Sequence, residues 1–149
     1  MSLVENKKFF LKYETLETLE AGIELFGYEV KSVRARQGSL DGARVLVRGG
    51  EAYLLGANIP PYQPNNTPAG YDPERNRRLL LHKSEIAHLS GLETRKGLTI
   101  VPISMYNKGR AIKLSIALAR GKKKYDKRAD IKKRESDREI RRLKHQTPE

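Results

Sequence analysis

The feature that most constrains this chain is a break in composition at Arg120. Residues 120–149 hold 13 basic and 6 acidic side chains, a net of +7. Their only hydrophobic residues are Tyr125, Ala129, Ile131, Ile140 and Leu143. Such a segment buries too little apolar surface to offset its ordering entropy, and is predicted to be disordered alone. It is not hostile to helix, because Gly121 is its only glycine, its only proline is Pro148, and Lys, Arg, Glu and Ala favour helix. A partner could therefore order it as a helix about 45 Å long. The residues before the break carry 17 basic and 12 acidic groups, a net of +5, and about 43% of them are hydrophobic, as in a globular domain. The chain thus divides into a folded body, 1–119, and a basic tail, 120–149.

Together the two parts give a formal net charge of +12 on 149 residues. With no cysteine, disulfides, thiolate nucleophiles and Cys-ligated zinc are excluded. No apolar run approaches the roughly 20 residues that span a bilayer. Met1 to Glu5 shows no basic-then-apolar secretion signal, so a cytoplasmic protein without membrane contact is expected. The natural partner of such a charge is a polyanion, nucleic acid before an anionic membrane.

Within the body, Phe9 to Leu25 mixes helical and strand spacing. Glu29 to Arg36 suits a short helix ended by Gly38. Ala43 to Arg48 and Glu51 to Ile59 flank Gly49-Gly50 and read as a β-hairpin. Residues 59–73 form a proline-rich loop. Leu79-Leu80-Leu81 reads as a short buried run. Lys83 to Leu89 is predicted helical, with Ile86 and Leu89 inward and Gly91 as the stop. Leu98 to Met105 and Arg110 to Ala119 form a second hairpin, in which Ile112, Leu114, Ile116 and Leu118 alternate. About six strands and two or three short helices predict a mainly β protein, a small OB-like barrel with flanking helices.

No P-loop or nucleophile elbow occurs, and His82, His88 and His145 lack metal-ligand spacing. No catalytic residue, metal or cofactor is assigned, and the chain is not expected to be an enzyme. Three basic groups stand out instead. Lys31 and Arg34 share a helix face, with Arg36 and Glu29 beside them, and read either as a phosphate-binding face or as a solvated face with Glu29 paired to Arg. Arg75, Arg77 and Arg78 crowd within four positions after a loop bearing Tyr62 and Tyr71. Like charges this close repel unless a polyanion relieves them, and aromatics beside arginines suit unpaired RNA bases. The plain alternative is a surface loop stiffened by prolines. The third group, Gly121 to Arg128, sets Tyr125 among lysines, free to stack on a base or simply part of an unstructured tail.

These groups lie in segments that resemble a known family. Residues 21–34, Asp72-Pro73 to Leu81, Lys96 to Pro102 and Ala119 to Arg128 are each similar, in the same order, to segments of the small protein B family, the tmRNA-binding (SsrA-binding) proteins of bacteria. The resemblance implies an OB-like barrel that binds the tRNA-like domain of tmRNA. It implies delivery of alanyl-tmRNA, with elongation factor Tu, to stalled ribosomes for trans-translation, acting as a monomer. It implies an RNA-facing set of Asn6, Lys7, Glu29, Lys31, Arg34, Asn58, Arg75, Arg77 and Arg78, beside which the residue chemistry alone sets Arg36 and Tyr62. It implies that Gly121, Lys122, Lys123, Tyr125, Asp126, Lys127 and Arg128 lie near the ribosomal decoding centre, with the tail helical in the empty mRNA channel. The chain departs from the family pattern at Phe9, Phe10 and Leu11, where Ala and then basic or His residues are usual, at Gly42-Ala43, where Ser-Tyr is usual, and at Tyr125, where His is common. The competing expectations are a ribosomal or assembly factor that holds ribosomal RNA, and an RNA-modifying enzyme.

Overall fold

The computed structural model describes residues 2–95 and 97–122. In chain order the elements are β1 (Ser2–Glu5), α1 (Phe9–Lys12), β2 (Tyr13–Ile23), α2 (Gly27–Arg34), β3 (Arg44–Arg48), β4 (Glu51–Leu55), a 3-10 turn (Pro64–Asn66), β5 (Arg77–Leu80), α3 (Lys83–Glu93), β6 (Leu98–Lys108) and β7 (Ala111–Gly121). The seven strands form one antiparallel sheet in the order β1-β6-β7-β2-β5-β4-β3. The sheet curls until β3 packs against β6, which makes the OB-like barrel.

β7 is paired along its length by both β6 and β2, and its sequence suits burial on both faces. Ile112, Leu114, Ile116 and Leu118 all point into the main core with Val45, Leu54, Leu79, Ile100 and Met105. The opposite face of β7 offers Ala117 and Ala119, whose small side chains admit Phe9 of α1 together with Val101. Phe9 is fully buried there, and burying a phenyl ring contributes roughly 1.5–3 kcal/mol, enough to dock a single helical turn. Gly49 and Gly50, both at positive φ, supply the two-residue turn between β3 and β4. At Gly22 the β2–β5 pair closes so tightly that a Cβ would meet Leu80 Cβ at 3.1 Å.

Four expectations need correction. There are seven strands among the described residues rather than about six, because β1 is a four-residue strand with Val4 as its one buried residue. Leu79 is buried but Leu80 is 49% exposed: β5 alternates Arg77 in, Arg78 out, Leu79 in, Leu80 out, as a two-residue period demands. Leu80 opens into a cleft of about 440 Å³ that Glu20, Gly22, Arg78 and Lys113 also line. Gly91 does not stop α3, which runs to Glu93, since its φ is not positive and it takes no C-cap geometry. α2 ends before Gly38, with Arg36 in the left-handed region (φ 62) while Gln37 N–H donates to Ser32 O and Arg36 N–H to Val33 O.

Candidate nucleic-acid interface

The site is built around one carboxylate. Glu29 lies in the first turn of α2 and donates nothing; its oxygens collect donors from three segments. Oε1 accepts the Phe26 N–H at 2.8 Å, which caps the helix and sets the entry of the chain. Oε2 accepts Arg77 Nε at 3.0 Å and Nη2 at 2.7 Å, and Arg75 Nε at 3.1 Å, while Arg75 Nη2 pairs with Oε1. The Tyr71 hydroxyl lies 2.9 Å from Oε2 and 2.7 Å from Ile59 O, and accepts from Arg77 Nη2 at 3.1 Å. Arg77 also donates to Ala57 O, Pro73 O and Arg75 O at 2.9–3.0 Å, so its guanidinium ties both ends of the 59–76 loop to the barrel.

Burial pushes the Glu29 carboxyl up, but the hydrogen bonds from Arg75, the Phe26 N–H and Arg77 outweigh it and hold the group below the ordinary 4.5. Burial first, and then the neighbouring Glu29 charge, push the Tyr71 phenol up to about 12. Two guanidiniums share one carboxylate, which leaves the cluster with a net positive charge. Its outer edge is aromatic. Arg75 Cζ sits 4.2 Å from the centroid of the Phe26 ring, Phe26 and Tyr28 are 5.5 Å apart, and Tyr28 meets Tyr71 edge-on at 5.0 Å.

This arrangement revises the arginine argument. Glu29 and Arg77, expected on the RNA-facing set, are both fully buried, because a carboxylate and a guanidinium that saturate each other can leave water together. They act on the surface through what they position: Arg75, Phe26 and the loop. The crowding of Arg75, Arg77 and Arg78 is relieved internally by Glu29 and, at 3.4 and 3.5 Å from Arg78, by Glu24 and Glu51. Glu29 does pair with arginine, but with Arg75 and Arg77 rather than with Arg34 or Arg36 of its own neighbourhood, and it is buried rather than part of a solvated face.

The remaining residues fall in three places. Asn6 is buried and straps the end of β1 to β6, donating from Nδ2 to Pro102 O (2.9 Å) and from its N–H to Ile103 O (2.8 Å), while Lys7 beside it is exposed. On α2 Lys31 is exposed, and Arg34 reaches the β6–β7 turn at Arg110 O (2.7 Å) and Asn107 Oδ1 (3.4 Å). Arg36 Nη1 lies 3.4 Å from Ser2 O. α2 is thus tied to the arginine loop at its start and to the β6–β7 turn at its end. Asn58 bridges to Ser39, and Tyr62 is 42% exposed on the proline-rich loop. Gly121 ends β7, and Lys122 is held by α1, its N–H on Lys12 O (2.8 Å) and its Nζ on Phe10 O (2.7 Å). Lys123, Tyr125, Asp126, Lys127 and Arg128, with the expected tail, lie outside the described residues. Phe26 was missed by sequence reasoning. The signal available was an aromatic pair, Phe26 and Tyr28, at the N-terminal end of the helix that carries Lys31 and Arg34.

Among the described residues no group of three or more His, Asp or Glu could hold a metal ion, and no helix is long and apolar enough to cross a membrane. A family model described as SmpB protein matches residues 3–146. The SsrA-binding protein of Thermosipho melanesiensis is 51% identical over 140 residues, covering 93% of this chain and 95% of that one. That of Microcystis aeruginosa is 49% identical over 138 residues, covering 93% and 90%. A solved chain described under "tmRNA-SmpB: a journey to the center of the bacterial ribosome" superposes with a TM-score of 0.68 at 45% identity, over 80% of this chain and 84% of that one. With nearly the whole sequence matched and the barrel shared, this chain belongs to the SmpB family.

Proposed function

We infer that this protein binds the tRNA-like domain of tmRNA and brings it to stalled ribosomes for trans-translation. The observation that carries this is the family match, which runs through both the barrel and the basic tail. The chemistry agrees with it. A folded RNA elbow is recognised by shape, backbone charge and stacking more than by base sequence, and the barrel offers cations and exposed aromatics on a rigid frame. On this reading the exposed members of the RNA-facing set, Lys7, Lys31, Arg34, Tyr62, Arg75 and Arg78, meet the RNA. Asn6, Glu29 and Arg77 hold the surface in shape, and Arg36 and Asn58 flank it.

The division of labour is between a barrel of residues 1–119, whose last strand runs on to Gly121, and the basic segment 120–149. The segment supplies reach, about 45 Å as a helix or roughly 100 Å extended. A basic segment enters an RNA-walled channel only when mRNA is absent from it, so it senses an empty ribosome. Residues 121–128, at its root, sit by the decoding centre, and elongation factor Tu accompanies the alanyl-tmRNA. The protein is an RNA-binding factor and carries out no chemical step itself.

Two measurements test this. Anisotropy titrations compare a labelled transcript of the tRNA-like domain with a duplex of equal length, and a purified translation system on truncated message reports tag addition. Preference for the tRNA-like transcript and protein-dependent tagging are expected. Equal binding of both RNAs with no tagging would overturn the reading.

A further inference from the structure

The Phe26–Arg75 pair is a surface feature that neither the family match nor the fold accounts for. Phe26 precedes α2 with half of its surface (49%) open to water, between Arg75 on its ring and Tyr28 beside it. Its position is nonetheless held firmly. Its N–H is fixed on Glu29 Oε1, and the Arg75 guanidinium lies over its ring at 4.2 Å. Arg75 is itself pinned by both oxygens of Glu29 and by Glu24 O at 3.3 Å, and a quarter of its side chain remains exposed. A ring and a guanidinium stacked on each other present a flat, cationic, pre-organised surface. The cluster beneath it has two guanidiniums to one carboxylate, so it favours an anion above.

We propose that Phe26, oriented by Arg75, is a stacking platform for one unstacked base of the bound RNA, whose phosphate is drawn by the excess charge of the Glu29 cluster. This rests on the RNA-binding function inferred above and adds a recognition residue to it. Base–aromatic stacking is tolerant of base identity and loses little ordering entropy when the aromatic is already fixed. Tyr71 is unsuited to the same task, since its hydroxyl is bonded and its ring meets Tyr28 edge-on.

The chain contains no tryptophan, so Phe26→Trp installs a single indole reporter at the platform. Wild type, Phe26→Ala, Phe26→Leu and Phe26→Trp are titrated with a transcript of the tRNA-like domain, with anisotropy as the independent measure of binding. Circular dichroism melts establish that each is folded; the backbone bond to Glu29 is common to all four. Phe26→Ala and Phe26→Leu are expected to bind roughly 5- to 150-fold more weakly, the range of one stacked base. Their salt slope should equal that of wild type, because no cation has been removed. Phe26→Trp should bind nearly as wild type, with indole emission quenched along the anisotropy isotherm. Wild-type affinity in Phe26→Ala, or unchanged Phe26→Trp emission at saturating RNA, overturns the platform. Failure of the wild-type chain to bind the transcript instead overturns the underlying functional reading.

Discussion

Replacing Glu29 with Gln removes one charge and almost no volume, from the point where α2, the 59–76 loop and β5 meet. Arg77 has no exposed surface, so its guanidinium would be left buried without a counterion. Breaking a buried pair in this way costs about 3–5 kcal/mol. The lower end applies here, because Ala57 O, Pro73 O and Arg75 O still accept from Arg77. Gln cannot simply replace the acceptor set: both Glu29 oxygens face N–H donors, so the new amide NH2 must oppose one of them. The expected loss is about 3 kcal/mol. In a chain of this length that lowers Tm by roughly 6–12 °C, and with a slope near 1.5 kcal/mol/M the urea midpoint falls by about 2 M. The pH dependence adds a sign. The folded carboxyl titrates below the ordinary 4.5, so its contribution is fully present above about 4.5 and is lost as pH falls through the lower folded value. Urea unfolding of wild type and Glu29→Gln should differ most above that pH and converge in acid. Unfolding free energies that agree within about 0.5 kcal/mol at neutral pH, or curves that stay parallel into acid, would refute the account of Glu29 as the counterion of a buried arginine.

Three further outcomes are expected. Tmrna-domain affinity should fall with salt at a log–log slope of about −0.7 to −0.9 per neutralised phosphate; Arg75→Ala or Arg78→Ala should flatten it, and an unchanged slope removes that residue from the interface. In alkali Tyr71 and Tyr106 should titrate well above the ordinary phenol value of 10 by near-ultraviolet absorbance, both pushed up to about 12. The stability that a neutral Tyr71 contributes is complete below 10 and is lost as pH rises through about 12, so Tyr71→Phe should shrink that alkaline limb and leave the share of Tyr106. Deleting residues 129–149 should leave affinity for the tRNA-like transcript nearly intact and abolish tagging on stalled ribosomes; full tagging by the truncated chain would contradict the sensing role of the tail.

Much of the barrel was legible because its strands obey a two-residue period. The alternation of Ile112 to Leu118 and the Gly49-Gly50 turn both appear in the structure as read. β2 was ambiguous because a bulge between Thr15 and Glu17 breaks its register, and Leu16 there is 46% exposed. Gly91 misled because glycine ends a helix only where the backbone turns left-handed. The site was less legible than the fold. Arginines signal a surface by composition, and only the arrival of Glu29, 48 residues earlier in sequence, allows Arg77 inside. The same long-range contact turns Arg75 onto Phe26, a pairing invisible to any local pattern. Charge crowding in a sequence therefore points to a polyanion only after the protein's own carboxylates have been placed.

The most direct test of the central claim is the identity of the RNA that the full chain carries. The tagged protein is purified from its native cells at moderate salt, and the RNA bound to it is sequenced and quantified against total RNA. Strong enrichment of tmRNA, with ribosomal RNA present at far below one copy per molecule of the protein, is the predicted result. Stoichiometric ribosomal RNA without tmRNA would contradict it and identify a resident ribosomal or assembly factor instead.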